Sequence, residues 1–153
     1  MMVVANTSPL TALLRIGRAD LLAKLFGRVV IPPAVALELQ RAHGALPEWV
    51  CVKPFRDTDA VNAFIASLDR GEAEAIALAL EMRADCVLMD ERKGRRLAKA
   101  QGLRVLGLVG VVLLAKRAGL IASAGPLLEA LESEAGFYLT SSLKRSALRS
   151  VGE

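Results

Sequence analysis

Short, continuous apolar runs alternate along this chain with longer amphipathic stretches. Met2-Val3-Val4-Ala5 and Cys86-Val87-Leu88-Met89 are bounded runs rich in Val or Leu, the pattern of strands buried on both faces. Arg28 to Ile31 and Arg104 to Leu106 read as further strands, and Leu46 to Pro54 as irregular chain or a short edge strand. Between them lie helix signals. Asn6-Thr7-Ser8-Pro9 predicts a helix start with Ser8 as cap and Pro9 in the first helical position, and Gly17 ends that helix. Asp20 to Phe26 is a short helix, and a helix of about ten residues follows Pro32-Pro33. Asp57 caps a helix reaching about Leu68, Gly71 separates it from a Glu72–Arg83 helix, and a basic helix runs to about Ala100. An apolar helix to about Arg117, a helix over Pro126–Ala135 and an amphipathic tail complete the chain.

Strands alternating with helices predict a three-layer α/β/α sandwich around a central parallel sheet. One domain over residues 1–136 is expected, with residues 137–153 as a C-terminal amphipathic tail packing on the domain or on a partner. In such sheets ligands sit in the crevice outside the carboxyl ends of the strands. The first run ends on Asn6 and the run over 86–89 ends on Asp90, so two oxygen donors are expected at one crevice.

Composition narrows the chemistry. At 153 residues and 54% apolar, the chain can bury a core without disulfides, and Cys51 and Cys86 read as isolated reduced thiols. No apolar stretch approaches the ~20 residues of a membrane span, and the first residues lack a signal-peptide pattern, so a cytoplasmic protein is expected. The net charge is only +4, but Arg92, Lys93, Arg95, Arg96 and Lys99 fall within eight positions directly after Asp90. Such a cluster is either a solvated helix face or the electrostatic footprint of nucleic-acid binding, and its place beside the crevice favours the second. No G-x-G-x-x-G follows the first strand and no P-loop is present.

Three acids join Asn6 as candidates. Glu38 borders the inward stripe formed by Val35, Leu39 and Ala42. The Glu72–Arg83 helix is apolar nearly all round. Glu74 and Glu81 share its polar strip, and Glu72 points almost the opposite way. Glu72 and Glu74 both suit the positive helix N-terminus, but a carboxylate kept on so enclosed a helix needs a partner or a metal, and Glu74 is the expected donor. Asp90 can cap the following helix, bind metal, or do both, and Glu91 stands next to it. One amide and three acids, with His43 the lone histidine, favour Mg²⁺ or Mn²⁺ over zinc.

With these residues in view, the sequence resembles the PIN-domain family of metal-dependent ribonucleases over roughly Val3 to Leu120. The resemblance rests on Asn6-Thr7-Ser8-Pro9-Leu10 after the first strand and on Pro32 to Leu39 with Glu38 as acid. Glu74-Ala75-Ile76-Ala77-Leu78-Ala79 and Leu88-Met89-Asp90-Glu91-Arg92 supply the third and fourth motifs. It implies a metal-dependent endoribonuclease cutting single-stranded RNA, of the kind that serves as toxin in toxin–antitoxin pairs. Glu38, Glu74, Asp90 and Asn6 would be the catalytic and metal-binding set, with Glu91 the alternative to Asp90. Thr7 or Ser8 would orient the site, and the Arg92–Lys99 helix would hold RNA. A homodimer that also binds a small antitoxin is implied too. The family's first acid is replaced here by neutral Asn6, so a catalytically silent PIN-like module binding RNA or protein is the alternative.

Overall fold

The computed structural model describes residues 1–153. Five strands form one all-parallel sheet: β1 (Val3–Ala5), β2 (Val29–Ile31), β3 (Val50–Val52), β4 (Cys86–Leu88) and β5 (Val105–Leu106). Their spatial order is β3-β2-β1-β4-β5. The chain winds outward from β1 to the edge strand β3, then returns to the other side of β1 for β4. The switch in winding direction therefore falls between β1 and β4.

Side chains alternate across the sheet as the strand period requires. Val3, Ala5, Val29, Ile31, Cys86 and Leu88 face one layer. That layer is built from α1 (Thr7–Arg15), α2 (Asp20–Phe26), α3 (Pro33–His43), α7 (Leu108–Arg117) and α8 (Gly125–Ser133). Val4, Val30 and Val87 face the opposite layer, where α5 (Arg70–Met82) and α6 (Arg92–Ala100) lie, with α4 (Thr58–Ile65) packed against α5. The three central strands β1, β2 and β4 are apolar throughout because neither of their faces meets water, while the edge strand β3 leaves Val52 exposed. The three-layer α/β/α architecture expected from the sequence is the one observed.

Local corrections carry physical reasons. Helix α1 begins at Thr7 with Asn6 in the N-cap position, so Ser8 is already helical and Pro9 sits in the buried first turn. Gly71 does not separate two helices. Asp69 caps α5 through a reciprocal capping box with Glu72, which places Gly71 inside the first turn. Asp90 does not cap α6; its carboxylate accepts from the Leu108 N–H at 3.0 Å and so caps α7. The edge strand at β3 and the Asp57 cap of α4 are found where expected.

The tail folds back as α9 (Ser141–Ser150). Leu139 and Ala147 are buried, Lys144 pairs with Glu132 at 2.9 Å, and the Glu153 side chain accepts from the Ala124 and Gly125 N–H groups. The apolar run Val105 to Ala115 is largely absorbed by the domain itself, since Leu108, Val111, Val112 and Ala115 are buried.

Candidate active site

Residue Ala5 pairs with Leu88, and the Asn6 N–H donates to the Leu88 carbonyl at 3.0 Å. The ends of β1 and β4 are thereby fixed side by side at the switch point of the sheet, where this class of fold binds ligands. Asn6 is buried, and its side chain makes no helix-capping bond. Its amide oxygen turns instead towards the first turn of α5. A Cβ built on Gly71 would stand 3.3 Å from Asn6 Oδ1, 3.2 Å from Glu38 Oε1 and 3.6 Å from Asp69 Oδ1. Gly71 is thus the point around which Asn6, Glu38 and Asp69 gather, and any larger residue would push into the first two.

The next acid on α5 continues the cluster. Glu72 Oε1 accepts from the Asp69 N–H at 3.3 Å, while Asp69 Oδ1 accepts from the Glu72 N–H at 2.8 Å. The second oxygen, Glu72 Oε2, is buried and has no hydrogen-bond partner. It rests against α6 where that helix has Gly94, at 2.6 Å from the position a Cβ would take. Burial, and then the neighbouring Asp69 carboxylate, push the Glu72 acid up to about 7, with Glu91 adding a smaller push. Asp90 is raised above the ordinary carboxylate value for the same first reason, opposed by the Leu108 N–H and by Arg95. Its Oδ2 is likewise buried without a partner.

Glu74 is buried too, and both of its oxygens are engaged. Oε1 accepts from the Ala34 N–H at the start of α3 at 2.9 Å, and Oε2 from Arg70 Nε at 2.8 Å. The enclosed helix did imply a partnered carboxylate; the partners of Glu74 are a backbone amide and an arginine. Glu72, set aside on the helical wheel, is the acid that faces Asp69, Glu91 and α6. The sequence held a signal for it, because Asp69-Arg70-Gly71-Glu72 has the spacing of a capping box. Asp69 was missed with it. The hydroxyl of Thr7 is buried and unpartnered beside Asn6, whereas Ser8 is exposed.

Helix α6 presents its basic residues unevenly. Arg92, Arg95, Arg96 and Lys99 recur on one face and, with Asp90, line a groove of about 400 Å³. Lys93 is exposed off that face. Arg95 is partly committed, since it donates to the Met89 carbonyl at 2.9 Å.

The family model DUF3368: PIN domain matches residues 2–153, and so takes in the tail as well as the sheet. The chain belongs to the PIN-domain family. A solved PilT N-terminus domain protein from the hyperthermophilic archaeon Sulfolobus solfataricus P2 superposes with a TM-score of 0.57 at 19% identity, covering 72% of this chain and 90% of that one. At that identity the likeness is one of fold. No curated protein matches the chain. PIN domains are generally nucleases and typically use divalent metal ions. The residues of this PIN domain suit such an ion in kind: every donor at the crevice is a hard oxygen, and two buried carboxylate oxygens lack any partner. They stand around the crevice without three of them meeting at one point. No helix is long and apolar enough to cross a membrane.

Proposed function

We propose that this PIN domain is a Mg²⁺- or Mn²⁺-dependent endoribonuclease that cuts single-stranded RNA. The observation that carries the reading is two buried, unpartnered carboxylate oxygens, Glu72 Oε2 against α6 and Asp90 Oδ2, with Asp90 itself lining a groove beside four cationic side chains. A buried acid without a partner is costly, and a cation relieves that cost. Glu38, Glu72 and the Asp90–Glu91 pair are the candidate donors, with Asn6 supplying a neutral carbonyl oxygen; the bonds of Glu74 to the Ala34 N–H and to Arg70 leave Glu72 the freer acid of α5. When bound, the ion polarises the phosphodiester and activates water. The protein's own groups do the rest. Asp69 orients Glu72 through the capping box, and Arg92, Arg96 and Lys99 hold phosphates along α6. Arg95 holds the β4–α6 turn at the Met89 carbonyl.

Cleavage of a single-stranded RNA with and without divalent metal tests the reading. Activity with Mg²⁺ or Mn²⁺ that is lost in Glu72→Gln and in Asp90→Asn is expected, and undiminished cleavage in EDTA overturns it. Asn6 favours a second reading, a silent PIN-like module, for which RNA would bind but not be cut at any metal concentration. The finer part of the proposal is a toxin that forms a homodimer and is covered by a small antitoxin. Support comes from large apolar side chains left exposed, among them Leu37 on the same helix as Glu38. Light scattering at tens of micromolar checks the dimer, and a monomer mass refutes it.

A further inference from the structure

Tyr138 is 82% exposed, more than any other large apolar side chain of the chain. The segment that carries it is firmly held. The Phe137 N–H donates to the Leu131 carbonyl at 2.9 Å, Leu139 is buried in the core, and Thr140 caps α9 by accepting from the Leu143 N–H at 3.1 Å. With Phe137 and Leu139 anchored inward, the ring between them is turned out to solvent.

The ring borders a groove of about 620 Å³, within the range of pockets that accept small organic groups. Phe137, Tyr138 and Leu143 line it together with Asp90, Arg92 and Arg95. The last three also line the basic groove on α6, so the two depressions adjoin at the candidate active site. An apolar protein segment laid here would have to strip water from two guanidinium groups and a carboxylate. A nucleotide would not: its phosphate meets the arginines while its base meets the ring.

We propose that Tyr138 is a stacking platform for one base of single-stranded RNA next to the phosphate held by Arg92, with Phe137 and Leu143 forming the apolar floor. The proposal rests on the nuclease reading of the crevice. Every base has a π-face, so this subsite orders the strand without selecting a sequence.

Binding of short oligoribonucleotides to the full chain, followed by fluorescence anisotropy with Ca²⁺ in place of Mg²⁺, tests it. Stacking on one aromatic is worth roughly five- to 150-fold in affinity. Tyr138→Ala should weaken binding within that range and Tyr138→Phe should restore it. A 2-aminopurine in the oligonucleotide should be quenched by the parent protein and less so by Tyr138→Ala. If Tyr138→Ala binds like the parent while the double variant Arg92→Gln, Arg96→Gln binds more weakly, the stacking role is refuted and the nuclease reading stands. If the parent binds no RNA, both fail. If Tyr138→Ala leaves RNA affinity unchanged but turns a dimer into a monomer, the ring belongs to a protein interface and the proposal is overturned.

Discussion

Replacing Glu72 by Gln separates what this residue does for the fold from what it does for the site. The amide oxygen of Gln still accepts from the Asp69 N–H, so the capping box keeps its shape. What disappears is the ionisable group. In the folded chain that acid is pushed from an ordinary 4.5 to about 7, first by burial and then by Asp69. The native state therefore holds the proton more tightly than the unfolded chain. The stability this provides is fully present below pH ~4.5 and is lost as pH rises through about 7. At roughly 1.4 kcal/mol per pKa unit, the rise sets a ceiling of about 3 kcal/mol against the folded state at pH 8. Relaxation and water at the crevice lower it to about 1–2 kcal/mol. Glu72→Gln should then be more stable than the parent at pH 8, by roughly 2–8 °C in Tm for a chain of this length. The gap should close by pH 4. Thermal unfolding followed by circular dichroism at pH 4, 6 and 8 reads this directly. Adding Mg²⁺ at pH 8 should raise the parent's Tm by mass action and move the variant less. Glu74→Gln is the control of opposite sign. It weakens a buried carboxylate's bonds to the Ala34 N–H and to Arg70, at a cost of about 1–2 kcal/mol. A Glu72→Gln protein that is less stable at pH 8, or whose difference from the parent does not change with pH, refutes the reasoning.

Two further outcomes follow from the same crevice. Asn6→Asp adds a charge beside Glu38 and Asp69, so Mg²⁺ should bind more tightly and cleavage should rise at low Mg²⁺; unchanged affinity would remove Asn6 from the donor set. On α6, changing Arg92, Arg96 and Lys99 to Gln should flatten the salt dependence of RNA binding by about 0.7 per lost phosphate contact. Lys93→Gln, off the groove face, should leave the slope alone, and an unchanged slope in the triple variant would return α6 to a solvated helix.

Much of this protein was legible in the chain itself. Continuous apolar runs at residues 2–5 and 86–89 are too short for helices and suit strands covered on both sides, and their alternation with amphipathic helices pointed to the α/β/α layers. Polar residues directly after those runs then had to emerge at the carboxyl edge, which placed Asn6 and Asp90 at one crevice. The clustering of positive charge after Asp90 was equally plain, because helical spacing is a local property. What tertiary structure decided was the employment of each carboxylate. A helical wheel gives direction around one axis but does not say which neighbour stands there. Glu74 and Glu72 are both enclosed acids in the first turns of α5, and only the placing of α3 against one and α6 against the other sorted them. Likewise Asp90 caps a helix 18 residues away instead of its own, because β4 and β5 are neighbours in the sheet. Packing also decided which cations share a groove, and turned Tyr138 outward beside them. Local pattern fixes the elements and the ends on which reactive groups fall, while the partner of a buried charge is set by contacts between segments far apart in the chain.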